Sequence, residues 1–410
     1  MTINWITPLL GTAPYEGCQV EGQSKIIDVR DLVDKEGNTQ DTVRRKIEEG
    51  VLRVSQNMPT IICCDYGISR SNAVAAGILA KAYKLSLTDA VGLVFKAIGP
   101  VEIKADVLKV VALVIEKTSD LVFPQSPEKI LVTGGSGFIG RNLQKQVTDN
   151  QKFIYPTKSD INLETSPTKL QLCVMDNNVS TIIHLANPRI YSSYSALGDS
   201  LTMLGNVLGV CSALNLRLIY LSNWEVFSGY RESVSADENT PVYARGPYGH
   251  SKILAEKLIR GVMGEKSPRY TIIRSGPVYG IGSDKPKFIF NFISKALNNQ
   301  EIIYHRYKNG IPSLDLLSID DLVEGVKLIC ATNLSGVVHF GTGEAITTER
   351  IASLIKRELG SSSSLKPIEI DTEGSMVSMN AKKAFHEIGW RPKISIEKGI
   401  ADIVKEVSNG

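Results

Sequence analysis

The sequence predicts an α/β protein in which a smaller N-terminal α/β domain precedes a doubly wound parallel sheet and a small C-terminal cap. Three observations carry this prediction. Short apolar runs alternate with longer amphipathic stretches, a glycine-rich loop follows the apolar run at residues 129–133, and a proline-containing break at residues 123–127 separates two such patterns. With 410 residues the chain exceeds one ordinary core of roughly 150 residues, so we expect at least two domains.

The N-terminal part alternates strand and helix patterns from residue 25 onward. Apolar, β-branched runs predict strands, and longer amphipathic stretches predict helices. Ser86 stands directly before one of these stretches and is its predicted N-cap. The predicted strands cover residues 25–29 and 60–64, and the predicted helices cover residues 41–54, 72–83, 87–98 and about 105–117.

A change of pattern marks a domain boundary, because the residues FPQSP at 123–127 interrupt both helix and strand. We assign residues 1–120 to the N-terminal domain, 121–127 to a linker and 128–410 to the second domain. Regular alternation continues to about residue 280 and predicts the parallel sheet, and the less regular remainder predicts a cap over its carboxyl edge. The predicted strands lie at residues 129–133, 153–155, 181–185, 218–222 and 271–274.

Composition limits the function classes. The chain is 43% hydrophobic and 22% charged, which is typical of a globular protein, and its net charge of +3 without a long basic block gives no reason to expect a nucleic-acid or membrane partner. The six cysteines lack metal-ligand spacing, so we expect no metal site. Neither a targeting segment nor an apolar run of about 18 residues is found, so we expect a cytoplasmic protein that acts on small molecules.

A dinucleotide site is predicted at residues 133–140, which read TGGSGFIG. The glycines at 135, 137 and 140 satisfy G-x-G-x-x-G directly after an apolar strand and at the start of a helix. Glycine permits close backbone approach, and the amides and dipole of a helix start favour a pyrophosphate. The candidate cofactor-binding residues in this loop are Gly134, Gly137, Phe138, Ile139 and Gly140.

The segment after the second strand of this domain bears on the choice between NADP and NAD. An acidic side chain there accepts from the ribose 2′-hydroxyl, whereas a basic one suits a 2′-phosphate. Lys158 favours NADP as a cofactor-binding candidate, and Asp160 keeps NAD open. A solvated surface lysine is the alternative role for Lys158.

Further motifs follow the glycine loop: HLA at 184–186, YGHSK at 248–252, RSGPVYG at 274–280, DDL at 320–322 and GWRP at 389–392. In this order they resemble the extended short-chain dehydrogenase/reductase family, the NAD-dependent epimerase/dehydratase group, over roughly residues 128–405. The resemblance implies a Rossmann sheet, a substrate-binding cap, and the further cofactor-binding residues Asn162, Leu185 and Ala186. Residues 157–163 look most similar to the reductase branch that finishes deoxysugar nucleotides, including the GDP-fucose synthase type.

In that family a tyrosine and a lysine four residues later carry the proton chemistry, which implies Tyr248 and Lys252 as catalytic and cofactor-binding residues. Residues four apart share a helix face, and a nearby ammonium lowers the pKa of a phenol. The resemblance also implies that Lys252 reaches the nicotinamide ribose. Tyr304 and Lys308 show the same spacing, so position in the fold, with Pro247 just before Tyr248, decides for the first pair.

The third catalytic position of the family departs from its pattern. The family has a serine or threonine whose hydroxyl contacts the substrate oxygen, and Asn223 stands there with Ser222 just before it. An asparagine amide can polarise a carbonyl, so both residues stay catalytic candidates. Leu314 replaces an arginine that commonly holds the nucleotide diphosphate. A sugar or nucleotide-sugar substrate is therefore implied by the resemblance, and reductase, epimerase and dehydratase activities stay open.

The N-terminal part contains a phosphate-binding pattern between a strand and a helix. Residues 64–71, CDYGISRS, satisfy C-x5-R-[ST], a spacing that lets backbone amides converge on an anion at a helix start. That field stabilises a thiolate at Cys64, and Arg70 can bind phosphoryl oxygens through two parallel hydrogen bonds. Ser71 would assist breakdown of a cysteinyl-phosphate. These three residues are catalytic candidates.

Residues 64–71, together with LSLTDA at 85–90, resemble the dual-specificity subgroup of the protein-tyrosine-phosphatase family over roughly residues 3–117. The resemblance implies a phosphatase acting on a phosphate ester or phosphoprotein, with Asp34 as the general acid. Cys63 replaces a histidine that orients the loop in the family, a departure expected to raise the pKa of Cys64. An inert buried cysteine, or a phosphate-binding module without hydrolysis, is the alternative.

Two functional hypotheses follow. The first is a bifunctional enzyme that joins NAD(P)-dependent epimerase, dehydratase or reductase chemistry on a sugar or nucleotide sugar to a cysteine-dependent phosphatase. The second is a phosphatase regulated by a Rossmann domain that senses NAD(P) without catalysis, a hypothesis motivated by Asn223. The oligomeric state is open, with a homodimer as the candidate assembly.

Overall fold

The computed structural model describes residues 3–18, 25–99, 101–116, 128–147, 149, 151–188, 193–264, 268–283 and 288–409. The sequence-based linker at 121–127 and the end of the helix expected at about 105–117 lie outside the described residues, so the domain boundary stays a prediction. The chain divides into two compact units. Met1–Lys129 with Lys158–Ser180 and Gly205–Leu216 forms the first; Ile130–Thr157, Thr181–Leu204 and Arg217–Gly410 form the second.

The N-terminal elements are β1 (Asn4–Thr7), β2 (Leu10–Pro14), α1 (Tyr15–Cys18), β3 (Ile26–Asp28), α2 (Gln40–Ser55), β4 (Thr60–Cys64), α3 (Arg70–Tyr83), α4 (Leu87–Ile98) and α5 (Ala105–Glu116). Their strands form one sheet in the order β1-β2-β4-β3, in which the β1–β2 pair is antiparallel and β4 runs parallel to β2 and β3. Strand β4 has neighbours on both sides and is buried at every residue, which explains its continuous apolar sequence.

Side-chain caps set the helix starts that the sequence predicts. Helix α4 begins at Leu87, and the Ser86 hydroxyl accepts from the Asp89 amide at 3.0 Å, so the predicted N-cap is confirmed. Thr39 caps α2 in the same way, accepting from the Thr42 amide at 3.2 Å. Helix α3 begins at Arg70, two residues earlier than expected, because the loop after β4 turns directly into it.

The second part begins with β5 (Lys129–Thr133), α6 (Phe138–Gln146), β6 (Phe153–Ile154), α7 (Pro167–Asp176), β7 (Val179–His184), α8 (Tyr194–Leu214), β8 (Arg217–Asn223), β9 (Ser233–Ala236), α9 (Gly246–Met263) and β10 (Tyr270–Ser275). A short 3-10 helix, Trp224–Phe227, follows β8. The remaining elements are β11 (Val278–Tyr279), α10 (Phe288–Leu297), β12 (Ile302–Tyr307), β13 (Ser313–Leu314), β14 (Leu317–Ser318), α11 (Ile319–Ala331), β15 (Gly336–Phe340), β16 (Ile346–Thr347), α12 (Thr348–Glu358), β17 (Leu365–Ile370), β18 (Met376–Met379), α13 (Lys382–Ile388) and α14 (Ile396–Asn409).

A six-stranded sheet in the order β15-β10-β8-β7-β5-β6 confirms the predicted doubly wound parallel sheet. The chain passes from β5 outward to β6 and then returns to β7 on the other side of β5. This reversal creates a switch point between the carboxyl ends of β5 and β7, where open α/β sheets bind their ligands. The glycine-rich loop follows β5 at this point.

Helix α7 belongs to the first compact unit because it packs on the N-terminal elements. The Thr168 hydroxyl accepts from the Ile103 amide at 3.1 Å and donates to the Ile103 carbonyl at 3.3 Å. Gln171 donates to the Ala105 carbonyl at 2.7 Å, and Leu172 joins the apolar core of the N-terminal helices. These buried contacts, together with residues 205–216, make the first unit discontinuous in sequence.

Within the second unit, the elements after β10, together with β9, build smaller sheets, β16-β13-β18-β9 and the parallel pair β12–β17. The helices α10, α12 and α14 pack with β12 around an apolar cluster that includes Phe292, Ile351 and Ile400. They account for the less regular pattern of the C-terminal sequence. Among the helices that the structure describes, α8 has the length and apolar composition of a membrane span, and the protein buries part of its surface, as it does for the core helix of a globular domain.

Candidate active sites

The glycine loop brings three peptide segments into van der Waals contact. Gly134 has a φ of 72°, and a β-carbon there would lie 2.6 Å from the Ala186 amide nitrogen. A β-carbon on Gly140 would lie 2.5 Å from the Gly134 carbonyl oxygen. Helix α6 begins directly after Gly137, so its first amides face the loop without a capping side chain at that residue. This cradle fits the pyrophosphate of a dinucleotide.

Gly134→Ala is expected to weaken dinucleotide binding at least tenfold, because its methyl group meets Ala186 and an L-residue at this φ carries strain of about 1–3 kcal/mol. Fluorescence titration of the purified variant with NAD and with NADPH measures the effect. Gly92→Ala in helix α4 is the matched control, because a β-carbon there meets no atom within 4 Å. Wild-type affinity in the Gly134 variant would contradict the assignment of this loop.

The predicted residues Leu185 and Ala186 lie beside this loop at the end of β7. The Leu185 amide donates to the Thr133 carbonyl at 3.2 Å, and the Ala186 amide donates to the Thr133 hydroxyl at 3.4 Å. His184 Nδ1 lies 2.8 Å from the same hydroxyl, and burial lowers the pKa of this histidine to about 3, with Lys252 contributing. A neutral His184 therefore joins the ends of β5 and β7.

Lys158 and Asn162, the other predicted cofactor residues, lie in the first compact unit. Lys158 is exposed, and its Nζ lies 3.2 Å from Glu164 Oε1. The Asn162 side chain accepts from the Glu164 amide at 3.0 Å and so shapes the turn before α7. This ion pair fits a surface lysine as well as it fits a lysine that binds a 2′-phosphate. The preference for NADP over NAD that Lys158 suggests therefore stays a prediction.

The structure brings Tyr248 and Lys252 together on one face of helix α9. Lys252 Nζ lies 5.5 Å from the centroid of the Tyr248 ring, and the lysine is buried. Burial lowers the pKa of Lys252 to about 8, while Glu256 and Glu225 act in the opposite direction. The Nζ donates to the Leu221 carbonyl at 2.9 Å, which fixes the ammonium beside the tyrosine.

The alternative pair with the same sequence spacing is not helical. Tyr304 lies in strand β12, where its hydroxyl donates to Glu349 Oε1 at 2.8 Å. Lys308 follows that strand and forms an ion pair with Asp371 at 2.9 Å. The pair at 304 and 308 therefore lacks the shared helix face of residues 248 and 252, and the catalytic assignment of Tyr248 and Lys252 stays a prediction.

Glu225 is a candidate that sequence reasoning missed. It lies in the 3-10 helix after β8, and burial raises the pKa of its carboxyl to about 7, with Lys252 opposing the shift. A carboxyl whose pKa is near neutrality can exchange a proton at physiological pH, so Glu225 is a further candidate for proton transfer near Lys252. The sequence does place Glu225 close to the third catalytic position, at residues 222–223. Its raised pKa comes from burial, which depends on tertiary packing and cannot be seen in the sequence.

The two candidates for the third catalytic position have different surroundings. Asn223 Oδ1 accepts from the Glu225 amide at 3.0 Å and caps the 3-10 helix, which leaves the Nδ2 group as the part of the amide suited to a substrate oxygen. Ser222 is buried, and its hydroxyl donates to Glu256 Oε1 at 2.6 Å. Glu256 also forms a buried ion pair with Arg274 at 2.6 Å. We therefore infer a structural role for Ser222.

The N-terminal loop holds Cys64 in an environment that favours its thiolate. The Gly67 amide donates to Cys64 Sγ at 3.2 Å, and Ser71 Oγ lies 3.3 Å from the sulfur. Burial raises the pKa of this thiol, but the hydrogen bonds from the Ser71 side chain and from backbone amides outweigh it and hold the pKa below its ordinary value. Whether Cys63, in place of the family's histidine, raises the pKa of Cys64 relative to other loops of this type stays a prediction.

Arg70 is held by acidic groups around the loop. Its guanidinium forms ion pairs with Asp65 at 2.5 Å and with Asp34 at 3.2 Å, and it donates to the Leu32 carbonyl at 2.9 Å. The Asp34 contact, made by Nε, is an ion pair without hydrogen-bond geometry. The predicted residues Cys64, Arg70, Ser71 and Asp34 thus lie around one loop, in which carboxylates hold Arg70, and their catalytic roles stay predictions.

Cys63 faces away from this chemistry. It packs with Cys18 and Ile61 in a small apolar cluster, and burial, followed by the neighbouring Cys18 and Asp28, raises the pKa of its thiol. Among the residues that the structure describes, no group of three or more His, Cys, Asp or Glu side chains is arranged to hold a metal ion.

Comparison with known proteins identifies the second part of the chain. The model of the NAD dependent epimerase/dehydratase family matches residues 130–340. UDP-glucuronic acid decarboxylase 6 of Arabidopsis thaliana is 25% identical over 305 residues, which cover 68% of this chain and 88% of that protein.

Solved structures share the fold. UDP-glucose 4-epimerase of Thermus thermophilus, solved with NAD, has a TM-score of 0.60 and 19% identity over 69% of this chain and 99% of its own. RMD of Pseudomonas aeruginosa, solved with NADPH, has a TM-score of 0.59 and 19% identity over 69% and 99% of the two chains. Both NAD and NADPH thus occur on this fold.

The glycine cradle at the switch point, the Tyr248–Lys252 pair on helix α9 and the match over residues 130–340, more than half of the sequence, agree with one another. This chain belongs to the NAD dependent epimerase/dehydratase family.

Proposed function

We propose that this protein converts a nucleotide sugar by NAD(P)-dependent chemistry at the site around Tyr248. The observation that carries the proposal is the buried Lys252 ammonium next to Tyr248. Glu225, whose carboxyl has a pKa of about 7, interacts with the same lysine. Similar proteins support the substrate class, because the Arabidopsis relative is a UDP-glucuronic acid decarboxylase and the Thermus structure is a UDP-glucose 4-epimerase.

Each residue has a definite task in this proposal. A bound dinucleotide supplies the group that accepts or donates the hydride. Tyr248 exchanges the proton of the sugar hydroxyl that is oxidised or formed, and the Lys252 ammonium stabilises its phenolate. The Asn223 amide donates to the same sugar oxygen in place of the usual hydroxyl. Together these groups convert a hydroxyl to a carbonyl or the reverse.

Glu225 bears on which reaction of the family takes place. Reduction of a carbonyl needs one proton, which Tyr248 delivers, together with the hydride from the dinucleotide. Elimination of water breaks a C–H bond and the neighbouring C–O bond, so it needs a base that takes the proton and an acid that protonates the leaving hydroxyl. A carboxyl with a pKa of about 7 can take that proton from carbon and return it to the leaving hydroxyl as water. We therefore favour a dehydratase-type step and keep the reductase and epimerase activities as outcomes of the test.

The experiment has two stages. Mass spectrometry of the dinucleotide released from purified protein identifies it as NADP or NAD. Lys158 leads us to expect NADP. Incubation with a panel of UDP-, dTDP- and GDP-sugars, followed by mass spectrometry of the sugars, then detects loss of water, gain or loss of two hydrogens, or a change of retention at constant mass. Binding of the dinucleotide without conversion of any panel member would count against the proposal.

We further propose that the N-terminal site is a cysteine-dependent phosphatase that acts on a phosphate ester or phosphoprotein. The lowered pKa of Cys64 and the amides directed at its sulfur support attack on phosphorus. Arg70 would hold the phosphoryl oxygens after release from Asp65, and Asp34 would protonate the leaving oxygen.

Asn223 in place of a hydroxyl favours a second candidate function, because its Oδ1 caps the 3-10 helix and its Nδ2 can donate a hydrogen bond but cannot relay a proton. In this alternative the dinucleotide regulates the phosphatase without being consumed. Saturating NADPH would then change the rate of aryl phosphate hydrolysis by the full-length protein, while the nucleotide-sugar panel stays unconverted. Conversion of any panel member excludes this alternative.

A homodimer is the proposed assembly. Leu254, Leu258 and Val262 are exposed at four-residue spacing on one face of α9, a hydrophobic surface that a second copy could cover. Leu258→Glu is expected to raise the dimer dissociation constant at least tenfold by burying a carboxylate, as measured by analytical ultracentrifugation. Leu52→Glu, at an exposed leucine on α2, is the control. A monomeric wild-type protein would contradict the proposal.

A further inference from the structure

Tyr220 lies in the middle of strand β8 and is buried, a position where the sequence reads as ordinary apolar core. Its hydroxyl lies 3.1 Å from Lys252 Nζ, close enough to accept a hydrogen bond from the ammonium. The same Nζ lies 4.7 Å from the centroid of the Tyr220 ring. With the Leu221 carbonyl at 2.9 Å, β8 thus supplies two acceptors in consecutive residues.

The Tyr220 ring is itself held in place from β7. His184 stacks against it with ring centroids 6.0 Å apart and an interplanar angle of 20°. His184 is fixed in turn by Thr133 Oγ1, 2.8 Å from its Nδ1, and Thr133 is the last residue of β5 before the glycine loop. A buried array therefore runs across three adjacent strands, from the cofactor loop to the lysine, through Thr133, His184 and Tyr220.

We propose that Tyr220 is a positioning residue that holds the Lys252 ammonium beside Tyr248 during proton exchange. The inference rests on the proposed function of the Tyr248 site. A lysine ammonium is a point charge on a flexible four-carbon stem, so its effect on a neighbouring phenol depends on where its Nζ is held. Tyr220 and Leu221 use two of its three donors, which leaves the third for Tyr248 or for the ribose.

The charge balance around Lys252 explains why one hydroxyl matters. The titratable groups that act on the lysine or the two tyrosines come from four elements: Tyr248 and Glu256 on α9, Glu225 on the 3-10 helix, Tyr220 on β8 and His184 on β7. Burial disfavours the ammonium, and the two carboxyls favour it. Because these effects oppose each other, removal of one acceptor shifts the balance toward the neutral amine, which no longer stabilises a phenolate.

The test follows the ionisation of Tyr248 without needing an identified substrate. Tyrosinate absorbance in the near ultraviolet is recorded against pH for the full-length protein loaded with NADPH or NAD. Subtracting the titration of Tyr248→Phe from that of the wild type isolates the step that belongs to Tyr248. The same subtraction in a Tyr220→Phe background, with the double variant as reference, gives that step without the Tyr220 hydroxyl.

Tyr220→Phe is expected to move the Tyr248 step upward by about one pH unit, because the ammonium is held less firmly. Tyr304→Phe, which removes another buried, hydrogen-bonded hydroxyl, is the matched control and should leave the step unmoved. Thermal unfolding of each variant verifies the fold. A step that stays in place or moves downward in Tyr220→Phe overturns the inference while the proposed function stands. Absence of any Tyr248 step in the wild type below the ordinary tyrosine pKa of about 10 overturns both.

Once the panel has identified a substrate, a second readout separates positioning from structure. Tyr220→Phe should lower kcat about tenfold and move the pH limb that belongs to Tyr248, with little change in KM. A merely structural tyrosine would lower the amount of active protein without moving that limb.

Discussion

Tyr248→Phe is expected to reduce nucleotide-sugar turnover by about 10²–10⁴-fold, the range associated with loss of a general acid–base. The substitution removes the phenolic proton and keeps the ring beside Lys252. Dinucleotide binding should persist, because the glycine cradle, Leu185 and Ala186 are unchanged. The loss should appear in kcat, since the phenol acts in the transition state. Turnover is followed with the panel member that the wild type converts.

Tyr304→Phe is the matched control for this experiment. It belongs to a tyrosine–lysine pair with the same spacing, but in strand β12, and its hydroxyl serves Glu349. Turnover by this variant should stay within a few-fold of the wild type. Undiminished turnover in Tyr248→Phe would show that another group carries the proton, and Glu225 would be the first residue to examine.

Cys64→Ser is expected to lower hydrolysis of an aryl phosphate by about 10³-fold or more, because an alcohol in this loop lacks the thiolate that attacks phosphorus. The lowered pKa of Cys64 adds a pH signature. Because hydrogen bonds hold the pKa of Cys64 below its ordinary value, the acid limb of the wild-type pH profile should lie below the ordinary thiol pKa of about 8.5. Release of inorganic phosphate from p-nitrophenyl phosphate measures both effects.

Cys63→Ser tests whether the effect is specific to the loop. This neighbouring thiol packs with Cys18 and is kept neutral by burial, so its replacement should leave hydrolysis within a few-fold of the wild type. Equal rates in wild type and Cys64→Ser would reduce the N-terminal site to a phosphate-binding module. Binding of inorganic phosphate by both proteins would then be the remaining property of the loop.

Local signals explain which parts of the fold the sequence predicts. Ser86 before α4 and the TGGSGFIG run before α6 act through hydrogen bonds and turns within a few residues, so a short window contains all the information. Strand β4 is recognisable because burial on both faces makes it apolar throughout. The preference for Tyr248 over Tyr304 rests on the order of the motifs and on Pro247 just before Tyr248, and the structure places Tyr248 in helix α9 and Tyr304 in strand β12.

Features that depend on contacts between residues far apart along the chain cannot be predicted from the sequence. Only burial near Lys252 raises the pKa of Glu225 enough for proton exchange near neutrality. The sequence indicates only that Tyr220 is a core residue, and the structure shows that its hydroxyl contacts Lys252. The Ser222 hydroxyl donates a hydrogen bond to Glu256, which lies 34 residues further along the chain. The packing of α7 on residues 103 and 105 likewise joins segments more than sixty residues apart. No window along the chain contains these pairs.

The most direct test of the account is whether the nicotinamide changes redox state when a nucleotide sugar is turned over. Protein loaded with its own dinucleotide is mixed in a single turnover with the panel member that it converts, and the absorbance of reduced nicotinamide is recorded. We predict a transient change in the wild type if the reaction is an epimerisation or a dehydration, which restore the nicotinamide, and a lasting change if it is a reduction. Either change should be lost in Tyr248→Phe. Conversion of the sugar without any redox change of the nicotinamide, or no conversion by dinucleotide-loaded protein, would contradict it.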